Sequence, residues 1–265
     1  MFDSGVGGLT VFAELARLLP RESIIYIADT ARVPYGGRAA GEIIKINKEI
    51  IGYLLGLGVK LVVMACGTSS AIAYPLLKDK YKFPMIGLIE GGARMAVSAT
   101  NNKKIGVIAT VGTINSGAYQ NAIKALKNDA EVFAVACPLL VPLIEGGFIA
   151  SAETRKVLKE YLKPLMKAKI DTLVLGCTHY PHLSGMIKDI VGGTVALVNP
   201  AEEAAKSARE ILNRTKMTAG ANERPGYRFL VTGSAPSFKD LGSRLLGRPI
   251  ANVEEITIVK GPATR

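Results

Sequence analysis

The chain has 265 residues, 49% hydrophobic and 21% charged, with 33 Lys and Arg against 22 Asp and Glu for a formal charge of +11. That composition excludes a disordered chain and allows one large domain or two small ones, each with its own core. The longest apolar stretch, 132–144, contains Pro138 and Pro142 and falls short of the ~20 residues that a bilayer demands, so no membrane span is expected.

From the start, Met1-Phe2-Asp3-Ser4 lacks a basic segment followed by an apolar one, so no secretory signal is expected and the cytoplasm is the default. Gly5-Val6-Gly7-Gly8 leads into a helical pattern over 9–18, where backbone amides and the helix start would cradle a carboxylate. Apolar runs bounded by turn residues follow at 23–28, 59–65, 84–89, 104–110, 131–136, 171–176, 194–198 and 227–232. Nearly all are continuous rather than alternating, which suits strands buried on both faces of parallel sheets. Helices are expected between them. Ile43, Ile46, Ile50, Leu54 and Leu57 form one apolar stripe opposite Lys45, Lys48 and Glu49, and Val157, Leu158, Tyr161, Leu162 and Leu165 form another behind a Ser151 cap. Residues 213–225 are polar and aperiodic, as in a loop. The alternation predicts an α/β fold. Basic residues are scattered, and the densest cluster, 155–169, reads as the wet face of a helix, so nucleic-acid binding is not favoured.

Three cysteines, Cys66, Cys137 and Cys177, show neither an even framework nor zinc-site spacing, and no metal is expected. Cys137, between Ala136 and Pro138, reads as a small core residue. Cys66 and Cys177 differ, because 61–68 and 172–178 each run from an apolar strand through a small residue to cysteine and threonine, 111 positions apart. Each cysteine then ends a buried strand, the edge at which α/β sheets bind ligands. Three chemistries are open: a single nucleophile with Cys177 and His179, a redox pair, and a two-base proton transfer that inverts a carbon between two sulfurs. The last uses both cysteines without a cofactor.

Residues 2–11 (FDSGVGGLTV), 28–36 (ADTARVPYG) and 175–181 (LGCTHYP) together closely resemble the cofactor-independent glutamate racemases of the aspartate/glutamate racemase family. Weaker matches lie at 112–119 and 136–145. The resemblance implies an α/β fold of two similar doubly wound lobes with mainly parallel sheets and an active-site cleft between them, one formed by 1–92 plus 206–265 and the other by 93–205. It implies interconversion of L- and D-glutamate for peptidoglycan supply, with no cofactor, in a cytoplasmic enzyme whose partner is its small-molecule substrate and which a homodimer would suit. Cys66 and Cys177 match the family's two catalytic bases, and Asp3 and His179 the groups that assist them. Ser4, Tyr35, Gly36, Gly67, Thr68, Thr110, Thr113, Glu145 and Thr178 match substrate-binding positions. His182 lies beyond the motif and reads as a surface residue.

The chain departs from the family in two places. Gly67 stands where the family has asparagine, and restoring that amide is expected to fit the turn and to return a charged hydrogen bond of about 1.5–3 kcal/mol to the substrate. Only Met1 and Phe2 stand where the family has a full strand before Asp3, so a short first strand and a weakened first lobe are expected. Smaller changes are Gly91-Gly92 for Pro-Gly and Asn199-Pro200 for Asp-Ser. The alternatives therefore include a two-cysteine racemase acting on another amino acid such as aspartate, and an impaired homologue that binds a ligand.

Overall fold

Among the described residues, ten short strands carry the fold, and most form where a continuous apolar run has no wet face to present. In chain order they are β1 (Phe2–Asp3), β2 (Ile24–Ala28), β3 (Val62–Val63), β4 (Met85–Ile86), β5 (Lys104–Ala109), β6 (Glu131–Ala136), β7 (Thr172–Leu175), β8 (Ala196–Val198), β9 (Tyr227–Val231) and β10 (Val253–Glu255). The structure is a computed structural model that describes residues 1–220 and 223–258. Every named strand pair is parallel.

One sheet has the order β1-β2-β9-β10, and a bridge from Phe2 to Met64 brings the β3-β4 pair to the free side of β1. The second sheet, β6-β5-β7-β8, uses residues 104–198 alone. The boundaries expected at 92 and 205 fall inside the helices Ile89–Ala99 and Pro200–Arg214, which pack on each other.

The helices bury the faces that periodicity marks. Ala40–Gly56 buries Ile43, Ile46, Ile50 and Leu54, while Ala152–Lys167 buries Leu158, Leu162 and Leu165 behind Ser151, whose Oγ accepts from the Thr154 amide at 3.0 Å. Leu9–Leu18 buries Leu9, Val11, Phe12 and Leu15, and its Phe12 ring stands edge-on to Tyr227 and Phe229, each at 5.1 Å. Buried apolar area of this kind, at roughly 25 cal/mol per Å², holds the helices on their sheets.

Several expected elements differ in extent. The run 84–89 is strand only at Met85–Ile86, because the Leu88 amide donates to Ser70 Oγ at 3.1 Å and Ile89 starts a helix. The run 59–65 is strand only at Val62–Val63, with Met64 adding a single bridge to Phe2 and Lys60 paired to the buried Glu22 at 2.6 Å. The helix Pro200–Arg214 takes the first residues of the expected loop 213–225, of which Ala221 and Asn222 lie outside the described residues. Among the described residues, no helix is long and apolar enough to cross a membrane.

Candidate active site

Both cysteines sit where a strand hands over to a helix. Cys66 follows β3 and precedes the helix Gly67–Ile72, with an extended backbone at φ −77° and ψ 125°. Cys177 follows β7 and Gly176, just before the short 3-10 turn Tyr180–Leu183. The two sheets present these ends to each other, so Cys66 and Cys177 line one cavity of about 20 Å³. That space holds about one water. Two larger cavities among the described residues, of about 280 and 330 Å³, carry no cysteine or histidine.

Ser4, Tyr35, Gly36, Gly67, Thr68, Thr110, Thr178 and His179 line the same cavity. Val33, Pro34 and Val141 line it too and were not marked as site residues, although they lie in the quoted sequence matches; as apolar groups they carried no chemical signal. Three marked residues stand behind the wall. Thr113 meets Thr110 through their hydroxyls at 3.0 Å, Glu145 meets His179, and Asp3 is fully buried beneath the Gly-rich turn.

Asp3 fills the cradle that the Gly-rich turn was expected to offer a ligand. Its Oδ2 accepts from the amides of Gly8 at 2.8 Å and Gly5 at 3.3 Å, so those donors hold the chain's own carboxylate. Its Oδ1 is buried with no partner among the described residues. Burial raises the Asp3 pKa against the opposing pull of His179 and the turn amides.

His179 bridges two groups. Its Nδ1 lies 3.7 Å from Cys177 Sγ and its Nε2 2.9 Å from Glu145 Oε1. Burial alone would drive the ring neutral, but the hydrogen bonds to Cys177 and Glu145 and the charges of Cys177 and Asp3 outweigh it and hold the imidazole pKa up at about 10. Cys66 goes the other way as a nucleophile. Burial, then the charges of Asp3 and Cys177, push its thiol up to about 12, which favours the protonated form at neutral pH. Its Sγ faces the Ser4 hydroxyl at 3.9 Å.

Tyr35 is fixed from behind. Its hydroxyl donates to Asp29 Oδ2, which also accepts from Arg32 Nε at 2.7 Å, while Asp29 Oδ1 accepts from Thr232 Oγ1 at 2.8 Å. Arg32 reaches on to Glu49 at 2.6 Å. The two sheets are laced together beside the cavity: the Gly112 amide donates to the Gly36 carbonyl at 2.7 Å, and the hydroxyls of Thr68 and Thr110 meet at 2.9 Å.

Two expectations about single residues need correcting. His182 is half-buried rather than a plain surface residue: its Nε2 is buried with no partner among the described residues, and burial plus the charge of His179 lower its pKa to about 4. Asparagine does not fit at 67. A Cβ there would come inside 3.0 Å of the Gly176 carbonyl oxygen, nearer than real Cβ atoms approach backbone.

Residues 7–208 match the family model described as Asp/Glu/Hydantoin racemase. The chain is 42% identical over 260 residues to a glutamate racemase of Bacillus cereus, covering 98% of this chain and 97% of that one. Among solved structures it is similar to a glutamate racemase isoform from Bacillus anthracis, with a TM-score of 0.93 at 41% identity, covering 97% of this chain and 96% of that one. A glutamate racemase from Francisella tularensis in complex with D-glutamate superposes with a TM-score of 0.90 at 35% identity and the same coverage.

Proposed function

Because the chain belongs to the Asp/Glu/Hydantoin racemase family, and so to the racemase class of isomerases, we propose that it interconverts L- and D-glutamate by proton transfer between Cys66 and Cys177. The observation that carries this reading is that two cysteines from separate sheets line one small cavity with an imidazolium beside one of them. Similarity to a protein that binds D-glutamate supports the substrate.

In each direction one sulfur, as thiolate, takes the hydrogen from the α-carbon, and the electron pair left there is delocalised into the substrate carboxylate. The opposite sulfur, as thiol, returns a proton to the other face. One thiol and one thiolate are present before and after, with their places exchanged. Cys66, held protonated to about pH 12, is ready as the thiol, and negative charge on Cys177 is balanced by His179. Asp3 sits close enough for its charge to raise both Cys66 and His179. Ser4, Tyr35, Gly36, Thr68, Thr110 and Thr178 wall the substrate, with Thr113 and Glu145 holding Thr110 and His179.

A cavity of about 20 Å³ does not admit an amino acid, so entry requires the contacts Gly36–Gly112 and Thr68–Thr110 to part. We assign the parts that separate to the lobes 1–92 plus 206–265 and 93–205. The product D-glutamate would feed peptidoglycan assembly in the cytoplasm.

The test is loss of the α-hydrogen signal in deuterium oxide, followed by proton NMR, for L-Glu, D-Glu, L-Asp and D-Asp. Exchange with inversion of glutamate alone is the expected result. Exchange of aspartate in its place, or of none of the four, overturns the assignment.

A further inference from the structure

In one direction of the proposed reaction Cys66 acts as a thiolate, and most of what surrounds it opposes that charge. Burial, the charge of Asp3 and the charge of Cys177 all raise its pKa. Tyr26 and Tyr35 feel its charge as well, but their hydroxyls donate elsewhere, to the Gly5 carbonyl at 2.7 Å and to Asp29. His179 lies against the other sulfur. As a thiol Cys66 donates toward Ser4 Oγ, whereas a thiolate needs donors of its own.

Ser69 offers them from behind the cavity wall. It is fully buried in the first turn of the helix Gly67–Ile72, for which Cys66 is the cap. Its neighbour Ser70 gives its hydroxyl proton to the Met64 carbonyl at 2.7 Å. Among the described residues the Ser69 hydroxyl has no such carbonyl acceptor, and its oxygen accepts from Asn47 Nδ2 at 3.1 Å. Asn47 is fully buried too, and a second bond from Nδ2 to the Ile43 carbonyl at 2.7 Å decides which end of its amide faces Ser69. With its oxygen accepting from Asn47, Ser69 has its proton left for Cys66. The amide and then the hydroxyl of Ser69 pull the Cys66 pKa down against burial.

We propose that Asn47 and Ser69 form a relay that supports Cys66 as a base, Asn47 orienting the Ser69 hydroxyl and Ser69 donating to the sulfur. Both are positioning residues, since neither lines the cavity. No member of the relay lies across the cavity from another, so it persists when Gly36–Gly112 and Thr68–Thr110 part. It rests on the reading of Cys66 as one of the two bases.

The test uses the full chain and the variants Ser69→Ala and Asn47→Ala, singly and together. Brief treatment with iodoacetamide near pH 8, with each cysteine read by mass spectrometry, takes Cys177 as the reference within the same molecule. The ratio of Cys66 to Cys177 modification should fall roughly 3- to 10-fold in Ser69→Ala, because a charged hydrogen bond is lost while the scarcer thiolate becomes the better nucleophile. Asn47→Ala should lower the ratio less, and not at all once Ser69 is alanine. With glutamate deuterated at the α-carbon, the isotope effect should grow for the enantiomer that Cys66 deprotonates and shrink for the other, since only one of the two transfers is slowed. A merely structural role would lower the unfolding midpoint and leave the ratio and both isotope effects alone. An unchanged ratio in folded Ser69→Ala, or an undiminished effect of Asn47→Ala in the double variant, overturns the relay. A wild type that fails to racemise glutamate sinks the functional assignment alone, because the alkylation ratio still decides whether Ser69 and Asn47 act on Cys66.

Discussion

Glu145 Oε1 lies 2.9 Å from His179 Nε2, on the side of the ring opposite the nitrogen that faces Cys177 at 3.7 Å. The carboxylate is one of the groups that keep the ring protonated. Glu145→Gln keeps an acceptor but removes its charge. The alkaline limb of kcat/KM should then move to lower pH by about one unit, the difference between a charged and a neutral hydrogen bond. A profile identical to wild type from pH 6 to 10 would remove Glu145 from the machinery.

Serine at either proposed base, Cys66 or Cys177, replaces a thiol by a hydroxyl that does not ionise in the accessible pH range. Cys66→Ser and Cys177→Ser should each abolish racemisation. Cys137 is 1% exposed, and its Sγ faces the Val135 carbonyl at 3.6 Å. Cys137→Ser should therefore keep the rate within a few-fold once folded. Full activity in either of the first two variants refutes the two-base scheme.

The two histidines should shape stability against pH with opposite signs. For His179 the folded value, about 10, lies above the ordinary 6.5. Its contribution is complete below pH 6.5 and disappears as the pH rises to about 10. For His182 the folded value, about 4, lies below 6.5, so the unfolded chain takes up the proton first and stability drops as the pH falls from 6.5 to 4. Urea midpoints at intervals from pH 4 to 10 check both. His179→Asn should flatten the alkaline slope and His182→Gln the acid one, and parallel curves would contradict the assignments.

Asp29 is fully buried and answers Arg32, Tyr35 and Thr232 at once. Asp29→Asn leaves the same shape without the charge that Arg32 needs. The loss should be about 2–3 kcal/mol, below the 3–5 of a fully buried pair because Arg32 is partly solvated and keeps Glu49. Chemical denaturation measures it, and a change under 0.5 kcal/mol would show that the network contributes little.

The fold class was legible because it rests on local patterns. The stripe at Ile43, Ile46, Ile50 and Leu54 is a property of one segment, as is the continuous apolar run that becomes β5, and neither needs a distant partner to be read. What stayed hidden depends on contacts far apart in the chain. Glu145 and His179 are 34 residues apart, Thr68 and Thr110 42, and no periodicity links them. The same holds for Gly67, whose fit is decided by Gly176, so a glycine that looked replaceable in its own turn is fixed by the opposite strand end. β10 escaped notice because Val253–Glu255 is short, exposed and polar, as an edge strand is allowed to be.

The division of strands between the sheets also bears on how the protein is made. The sheet with Cys177 needs nothing beyond Val198, whereas the one beside Cys66 takes β9 from Tyr227–Val231, inserted between β2 and β10. As the chain leaves the ribosome, the later half of the molecule can finish first and the earlier half must wait for the last strands. β2 thus spends most of synthesis with an open parallel edge. The sheet next to Cys66 is therefore complete only when β9 and β10 have been made, long after the sheet that ends in Cys177.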